Sequence, residues 1–464
     1  MSNIKLSILF LIFILVSCSQ DSSEPDPVVE ETPTENPQPE APEEEETISN
    51  EELLNLTQEE TFKYFWDYAQ EDSGCARERY LPGNPSTDAN VVTTGGTGFG
   101  LMAIIIGIER QFISRAEGVA KLQKMISFLE SADRFYGAWP HWIDGSTGNV
   151  IPFSTQDNGG DLVETAFLAQ GLICVSSYLK TGSDSEIALA NLSDKLVAEI
   201  EWNWYTQNQN TLYWHWSPDY NFDMNLQLKG YNETLLTYII AASSADFGIE
   251  KAVFDAGWAD NGNIISSNSA YGFPLLVKHQ GAEQYGGPLF WAHYSYLGLN
   301  PHNLSDQYAD YWQVNVNHSL INYTYCVENP LGFTGYGENL WGLTASYSRN
   351  DDGSLGYSAH RPGNDRGVIS PTAAISSLPY TPEESLKALH TFYENKDILL
   401  GPAGFYDAYS PQYNWVAEAY LAIDQGPEII MIENYRSGLI WNLFMQNENI
   451  QNGLDKLGFT YETP

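Results

Sequence analysis

Residues 158–172 read NGGDLVETAFLAQGL, a glycine-rich turn that leads into a run of apolar residues. From Leu162 to Leu172 the apolar and small residues are spread over most sides of a helix rather than along one stripe. A helix with such a surface is stable only where protein covers it on all sides. The stretch therefore predicts a buried inner helix whose amino end carries acidic residues.

The same kind of junction recurs along the chain, and an apolar run rich in small residues follows each copy. The other copies lie at 95–98, 230–232, 285–288, 336–338, 365–367 and 424–427. The intervening stretches are amphipathic and carry helix-start signals, such as the capping box from Ser114 to Glu117 and Pro382 after Thr381. Inner and outer helices that alternate about six times predict an all-α (α/α)6 barrel with the amino ends of the inner helices on one rim.

Two segments interrupt the helical pattern, at 136–154 and 211–225. Both are rich in Trp, Tyr, Gly and Pro, with some alternation of apolar and polar residues. This composition predicts short β-hairpins on the rim. Because the junctions repeat along the whole stretch, we expect a single domain at 51–464.

The amino terminus has the pattern of a bacterial lipoprotein signal. Lys5 precedes an apolar run from Leu6 to Val16, and Ser17 stands directly before Cys18. We expect residues 1–17 to be a signal peptide, Cys18 to carry a lipid, and 18–50 to be a disordered acidic tether. The expected location is that of an exported lipoprotein, at the outer membrane, at the cell surface or in the periplasm of a Gram-negative bacterium.

The formal net charge of −39 restricts the class of partner. Residues 21–60 hold 15 acidic side chains and no basic one, and the remainder of the chain is also acidic. Such a surface repels nucleic acid and anionic polysaccharides, so we expect a neutral ligand and a monomeric protein. Cys75, Cys174 and Cys326 leave open one disulfide.

Three carboxylates, Asp157, Asp161 and Glu164, are packed into the turn that opens the helix at 162–172. In helical geometry all three would face one cavity. Asp161 and Glu164 also have the spacing of a capping box, so helix capping alone explains them. It does not explain Asp157, which favours a functional role for the turn.

Two further acids, Glu233 and Asp424, occupy equivalent junctions. Glu233 is expected in the first turn of its helix, and Pro427 as a first helical residue would place Asp424 in the preceding loop. Hydrolysis of a glycosidic bond needs a protonated carboxyl group and an ionised one. Clustered acids with different pKa values provide both forms, so these five acids are the candidate catalytic residues.

Aromatic and polar side chains near the junctions are candidate sugar-binding residues, because aromatic faces suit the C–H surfaces of sugars. Each has an alternative role in packing a hairpin or pairing with an acid. The candidates are Trp139, His141, Trp142, Trp214, His215, Tyr231, Asn232, Tyr336, Glu338, Trp341, His360 and Arg366.

Other chemistries lack their sequence signatures. The chain has no glycine-rich phosphate loop with Lys, no H-E-x-x-H and no G-x-S-x-G, and its His residues lack ligand spacing. We therefore expect neither a metal ion nor a cofactor.

Longer motifs resemble the glycoamylase domain of bacterial lipoproteins, glycoside hydrolase family 144. They lie at 98–103, 137–142, 157–164, 213–218, 230–233, 336–339 and 422–427, within a likeness that covers about residues 55–460. The resemblance implies an (α/α)6 barrel that hydrolyses β-1,2-glucan to sophorose or sophoro-oligosaccharides with inversion at the anomeric carbon. It also implies that the functionally important acids of the family fall on Asp157, Asp161, Glu164, Glu233 and Asp424.

On this basis we expect Glu233 to be the general acid, and Asp157, Asp161 or Glu164 to activate water. Three alternatives remain: a hydrolase of another glucan linkage, a non-catalytic surface glycan-binding lipoprotein, and a polysaccharide lyase. The sequence leaves endo or exo attack open.

Overall fold

Helices dominate the regular structure of residues 48–464, the range that the computed structural model describes. The predicted signal peptide, Cys18 and the tether up to residue 47 lie outside the described residues. The range Ile48–Pro464 forms one compact unit. Its first helix begins at Asn50 behind the N-cap residue Ser49.

The α-helices fall into long and short ones. Those of the described range are α1 (Asn50–Trp66), α2 (Thr94–Glu109), α3 (Arg115–Ser131), α4 (Leu162–Leu179), α5 (Asp184–Ala198), α6 (Leu235–Ser243), α7 (Lys251–Ala256), α8 (Tyr311–Glu328), α9 (Pro371–Ile375), α10 (Pro382–Glu394), α11 (Lys396–Leu399), α12 (Ala422–Ser437), α13 (Leu439–Met445) and α14 (Glu448–Leu457). Two consecutive 3-10 turns lie at Leu289–Ala292 and Tyr294–Tyr296.

The strands are short and pair in separate small sheets. They are β1 (Arg79–Tyr80), β2 (Val91–Thr93), β3 (Trp142–Asp144), β4 (Val150–Ile151), β5 (Gly160–Asp161), β6 (His215–Trp216), β7 (Ser269–Ala270), β8 (Phe273–Pro274), β9 (Ala345–Arg349), β10 (Leu355–Ala359), β11 (Leu400–Gly401), β12 (Gly404–Phe405), β13 (Ala408–Ser410), β14 (Trp415–Ala417) and β15 (Tyr420–Leu421). Strands β2, β3 and β4 form a three-stranded sheet, and the other described sheets have two strands.

The apolar runs form the inner helices α2, α4, α6 and α12, as predicted. Every residue of α2 from Thr94 to Ile108 is buried, and α4 is buried at nearly all positions. By length and composition α4 could cross a membrane, but 94% of that window is buried inside the protein, as in a core helix.

Glycines allow α2 and α4 to approach closely. A Cβ atom at Gly98 would lie 2.2 Å from the carbonyl oxygen of Phe167, and one at Gly171 would lie 2.3 Å from the carbonyl oxygen of Gly98. Neither position has room for a larger residue without moving a backbone, so these glycines fix the spacing of the two helices.

The inner elements follow one another around a ring. Helix α2 contacts α12 and α4, α4 contacts α6, and α6 contacts the 3-10 turn at 294–296. The imidazole of His293 lies 3.0 Å from the hydroxyl of Ser377, just beyond α9, and α9 contacts α12. The junction at 285–288 leads into 3-10 turns rather than the predicted α-helix. In an α-helix the carbonyl of Tyr294 would accept from the N–H of Gly298, but here the side chain of Gln170 bonds both groups.

The junction at 336–338 also departs from the prediction. It leads into the hairpin β9–β10, in which Tyr347 pairs with Tyr357. The reversal is made by the turn at 350–354, where the N–H of Asn350 donates to the carbonyl of Ser354 at 3.0 Å and Gly353 has φ +87°. The turn at 350–354 therefore makes this segment a β-hairpin, although the apolar run after the junction predicted a helix.

The outer helices begin where the capping signals predicted. The N–H of Glu117 donates to the Ser114 hydroxyl at 3.3 Å, and the Glu117 carboxylate accepts from the Ser114 N–H at 3.0 Å. Pro382 is the first residue of α10. Helix α3 thus has a complete capping box, worth about 1 kcal/mol.

The two predicted hairpins have different outcomes. Segment 136–154 contains the hairpin β3–β4, as predicted. Segment 211–225 folds back through isolated antiparallel bridges, Tyr213 with Gln227 and Ser217 with Asn221. Its strand β6 also pairs with β5 at the start of α4, so that His215 lies opposite Asp161. Cys75, Cys174 and Cys326 are all buried with free thiols, so the structure contains none of the disulfides that the sequence left open among them.

Candidate active site

Asp161 is both the N-cap of α4 and the centre of the candidate site. Its Oδ1 accepts hydrogen bonds from the N–H groups of Val163 and Glu164, each at 3.0 Å. Its Oδ2 lies 3.0 Å from Nδ1 of His141 and 3.5 Å from Nε2 of His215. Burial alone would raise the pKa of Asp161, but hydrogen bonds and charge from the two imidazoles hold that pKa well below its usual value. Asp161 is therefore an anion inside the protein.

Two cationic histidines and a second carboxylate complete this group. Nε2 of His215 also lies 3.2 Å from Oδ2 of Asp157. Burial opposes the charge on both imidazoles, but the surrounding carboxylates outweigh it and raise the pKa of His141 to about 10 and that of His215 to about 9. Positive and negative groups therefore alternate through His141, Asp161, His215 and Asp157, which together with Glu164 we call the α4 cluster.

Asp157 lies outside α4, in a turn where its N–H donates to the carbonyl of Ser154 at 3.1 Å. The prediction that helical geometry orients Asp157 is therefore wrong, and its side chain joins the cluster through His215. Ligand atoms of His141, Asp157 and Asp161 lie within 4.8 Å of one another, a spacing that would also suit a metal ion. Because the charged imidazoles already balance the carboxylates, the ion pairs account for this spacing.

Glu164 reaches from α4 to the start of α2. Its Oε2 accepts a hydrogen bond from the N–H of Gly95 at 2.8 Å, so it does not return to the N-cap as a capping box requires. A Cβ atom at Gly95 would lie 2.5 Å from that oxygen, which explains the glycine. Burial raises the pKa of Glu164 to about 7, with the charge of His141 opposing the rise and that of Asp161 adding to it. Near neutral pH, Glu164 is therefore about half protonated while Asp161 is ionised.

Glu233 precedes α6 instead of lying in its first turn, because that helix begins at Leu235. Its carbonyl accepts a hydrogen bond from the hydroxyl of Ser295 at 2.5 Å, which fixes the segment. The residue is only partly buried. Burial of the carboxyl group is the main reason that the pKa of Glu233 rises to about 7, and the acids of the α4 cluster add to the rise. Glu233 is thus a carboxyl group that is half protonated near neutral pH, on a residue that is partly exposed.

Asp424 lies inside α12, so the predicted loop position is wrong. Strand β15 leads directly into the helix at Ala422, and Pro427 falls within the helix instead of starting it. The missing N–H of Pro427 leaves only the carbonyl of Ile423 without its helical partner. The carbonyl of Asp424 accepts a hydrogen bond from the hydroxyl of Thr372 at 2.8 Å, which ties α12 to α9.

Asp407, which the sequence did not single out, is coupled to Asp424. Both residues are at most 2% exposed. Oδ2 of Asp407 accepts a hydrogen bond from the N–H of Tyr347 at 2.6 Å. Burial and the charge of Asp407 raise the pKa of Asp424 well above its usual value, and burial raises the pKa of Asp407 to about 6. The pair therefore holds one proton between two carboxyl groups at neutral pH.

Tyr294 lies between the two groups of acids. Its ring packs edge-on against Phe167, and its hydroxyl is buried without a hydrogen-bond partner among the described residues. Burial raises the pKa of Tyr294 well above its usual value, and the charges of Asp424, Glu164 and Glu233 add to the rise. All three acids therefore lie within electrostatic range of Tyr294, which is a second site residue that the sequence did not reveal.

Trp142 and Trp214 lie beside the histidines and are partly exposed. The ring of Trp142 packs edge-on against Phe153 at a centroid distance of 4.8 Å. The ring of Trp214 is nearly parallel to that of His215, at 5.8 Å and 17°. Their positions are compatible with the predicted sugar contacts.

Three other predicted sugar-binding residues are core residues. The rings of Trp139, Trp341 and Tyr231 are fully buried. They donate hydrogen bonds to the carbonyl of Leu129, the carbonyl of Glu384 and the side chain of Asn315, respectively. A sugar cannot reach them, so the prediction of sugar contact is wrong for these residues.

The remaining candidates lie at separate places on the rim. The side chain of Asn232 accepts a hydrogen bond from the N–H of Thr234 at 3.0 Å. The hydroxyl of Tyr336 donates to the carboxylate of Asp365 at 2.9 Å. Glu338 is exposed and its charge acts on Tyr323 of α8, and its predicted sugar contact stays a prediction. His360 is fully buried with both ring nitrogens unpartnered among the described residues, and Arg366 is exposed nearby.

Comparison with known proteins identifies relatives over nearly the whole described range. Residues 225–448 match the family model described as "Glycoamylase: Putative glucoamylase". A protein of Parabacteroides distasonis named "Exo beta-1,2-glucooligosaccharide sophorohydrolase (non-reducing end)" is 42% identical over 433 residues, which cover 88% of this chain. The matched region spans only 58% of the length of that relative.

Solved structures cover the chain more evenly. The endo-β-1,2-glucanase from Chitinophaga pinensis, in complex with sophorotriose and glucose, is 53% identical with a TM-score of 0.87, and the match covers 89% of this chain and 99% of that one. A putative glucoamylase from Bacteroides fragilis is 51% identical with a TM-score of 0.88, covering 91% and 100%. The chain therefore belongs to the glycoamylase family, glycoside hydrolase family 144, as its motifs indicated.

Proposed function

We propose that the protein is an inverting glycoside hydrolase that cleaves β-1,2-glucan to sophorose or sophoro-oligosaccharides. Relatives named for exo and endo action on this glucan support the substrate. The observation that carries the proposal is the division of protonation states among acids whose charges act on one another. Asp161 is ionised, whereas the pKa of Glu164 and that of Glu233 are about 7. Glycoside hydrolysis needs both forms at once.

Glu233 is the general acid in this proposal. It holds a proton on part of the molecules near neutral pH, and of the candidate acids with a raised pKa it is the one that is partly exposed. A proton on a solvent-accessible carboxyl group can pass to the leaving oxygen, directly or through a hydroxyl group.

The base is the Asp407–Asp424 pair rather than a member of the α4 cluster. Both oxygens of Asp161 already accept hydrogen bonds, and Glu164 is bonded to Gly95. The Asp407–Asp424 pair retains one negative charge and shares one proton between the two carboxyl groups, and no other N–H or O–H group of the described residues donates to the carboxyl group of Asp424. The α4 cluster then holds and orients the substrate through His141 and His215.

The proposed architecture is an (α/α)6 barrel. In this proposal the six inner positions belong to α2, α4, α6, α9, α12 and the 3-10 turns at 289–296. Asp161, Glu233 and Asp424 lie near the amino ends of α4, α6 and α12, which supports one common rim. We also propose that the protein is an exported lipoprotein, anchored through Cys18 and acting as a monomer on a neutral glucan. Radiolabelled palmitate incorporation that disappears in Cys18→Ala tests the anchor.

Purified protein incubated with β-1,2-glucan, starch and β-1,3-glucan tests the activity. New reducing ends are expected from β-1,2-glucan alone, with an inverted anomeric signal by NMR. Glu233→Gln and Asp424→Asn are expected to lose about a thousandfold in rate or more. The control Glu394→Gln, at an exposed acid that ends α10, should keep full rate. Hydrolysis of starch alone, or full activity in Glu233→Gln, would refute the proposal.

The same experiment separates two other functions. Tight binding of β-1,2-glucan without new reducing ends would identify a glycan-binding lipoprotein. Ultraviolet absorbance from an unsaturated product would identify a lyase.

A further inference from the structure

A second cavity, of about 630 Å³, lies on the outer side of the catalytic rim. It is lined by residues that follow α1, by the segment before and after β1, and by one side chain of α3. Lining residues include Trp66, Tyr68, Asp72, Arg77 and Lys121. The volume falls within the range of about 300–1,000 Å³ that small-molecule sites occupy.

Strand β1 separates this outer cavity from the catalytic site. Arg77 lines the cavity, whereas the charge of its neighbour Glu78 acts on Asp424 and Glu164. The N–H of Ala422 donates to the carbonyl of Glu78 at 3.2 Å, which fixes the wall to the start of α12. A ligand in the outer cavity would therefore lie directly behind the catalytic acids.

Flat aromatic surfaces form part of the outer cavity. Tyr68 stacks on Tyr80 at 4.3 Å and 24°, and Tyr80 stacks on Tyr420 at 6.2 Å and 15°. Tyr68, the outer member of this column, is partly exposed, as is Trp66 on the adjoining end of α1. Aromatic faces of this kind suit the C–H surfaces of sugar rings.

The polar groups of the cavity include an unsatisfied buried donor. Arg77 is 7% exposed, and its guanidinium is held by hydrogen bonds to the carbonyls of Pro85 at 2.9 Å and Thr87 at 2.8 Å. Its Nε has no hydrogen-bond partner among the described residues. The exposed carboxylate of Asp72 and amide of Asn90 at the same cavity would accept from sugar hydroxyls.

We infer that the outer cavity is a second, non-catalytic binding site for a chain of the same neutral glucan. This inference rests on the proposed function. A long glucan bound there would remain next to the catalytic site between cleavages, whereas a short oligosaccharide would occupy only one of the two places.

Kinetics on long and short substrates test the inference, with Tyr68→Ala and Asp72→Asn as variants. Asp72 is exposed, so its variant leaves the core unchanged. We expect KM for long β-1,2-glucan to rise roughly threefold to tenfold in Tyr68→Ala, the effect of losing one aromatic stacking contact. We expect a smaller rise in Asp72→Asn. The kcat/KM for a short sophoro-oligosaccharide should stay unchanged in both.

Tyr435→Ala is the matched control, because Tyr435 is 42% exposed and lies near the far end of α12. If KM for long glucan in both test variants equals that of the wild type, as expected for this control, the second site is overturned. Hydrolysis of β-1,2-glucan by the wild type would still uphold the proposed function in that case. Failure of the wild type to bind or cleave β-1,2-glucan would overturn both.

Discussion

Replacing Asp161 with Asn separates its two roles. Asn is as good an N-cap as Asp, so the amide oxygen can still accept from the N–H groups at the start of α4. The variant lacks the negative charge between His141 and His215. Its effect on stability therefore measures the buried ion pairs rather than the cap.

The magnitude follows from the histidines. The rise in the pKa of His141 from 6.5 to about 10 corresponds to roughly 5 kcal/mol of net interaction, the attraction of the neighbouring charges less the cost of burial. Asp161 supplies part of that interaction, and removing one partner of a buried pair costs about 3–5 kcal/mol. Deprotonation of the imidazoles would relieve some of this cost. We therefore expect a loss of about 3 kcal/mol in the free energy of unfolding at pH 7.

Denaturant unfolding measures the loss, and NMR titration of His141 and His215 should show both pKa values falling. The matched control is Asp310→Asn, because Asp310 is an exposed N-cap of α8 whose side chain accepts from the N–H of Gln313 at 3.0 Å. It should change stability little. Equal losses in the two variants, with unchanged histidine pKa values, would refute the ion-pair reasoning and leave capping as the main role of Asp161.

Four further predictions concern packing and pH. Gly98→Ala should lower the free energy of unfolding, measured in urea, by about 1–3 kcal/mol, because the added Cβ would clash with a backbone carbonyl of α4. Gly83→Ala should leave it unchanged, because a Cβ atom at that position would have no neighbour within 4 Å. The rate of glucan hydrolysis should fall as pH rises through about 7, where Glu233 loses its proton, and a pH–rate profile measures this. Because the pKa of His141 is raised, the charged imidazole makes its full contribution to the free energy of unfolding below pH 6.5, and that contribution should be lost as pH rises through about 10. Denaturant unfolding at several pH values measures this loss. Burial lowers the pKa of His318 to about 4, so between pH 6.5 and 4 the unfolded chain binds a proton at this residue and the folded protein does not. The Tm should therefore fall as pH is lowered from 6.5 to 4, and it should fall less in His318→Gln.

The sequence predicts elements whose signals are local. The apolar runs and the capping signals locate α2, α4, α12 and the outer helix α3 because periodicity and capping involve residues a few positions apart. The junction at 285–288 has the same local pattern but forms 3-10 turns. There the side chain of Gln170, from another helix, takes over the backbone hydrogen bonds of Tyr294 and Gly298. No local pattern reveals such a distant partner.

The candidate site divides in the same way. Asp161 and Glu164 could be predicted from the sequence because a glycine-rich turn directly precedes the helix that carries them. Asp407 follows β12 without such a turn, and its importance comes from Asp424, which is adjacent only in the fold. Trp139 shows the opposite error, since its loop sequence resembles that of an exposed residue while its ring lies in the core. Burial of a loop aromatic depends on what the rest of the chain places over it.

Helix capping and a role at the site are often treated as competing explanations for an acid at the start of a helix. In Asp161 the two coexist because each oxygen has its own partners, Oδ1 the backbone of α4 and Oδ2 the imidazoles. That double use leaves Asp161 without a free lone pair to activate water. The proton transfers of the proposed reaction must then fall to acids that lack such duties. Glu233 and Asp424 meet that condition, since neither side chain caps a helix.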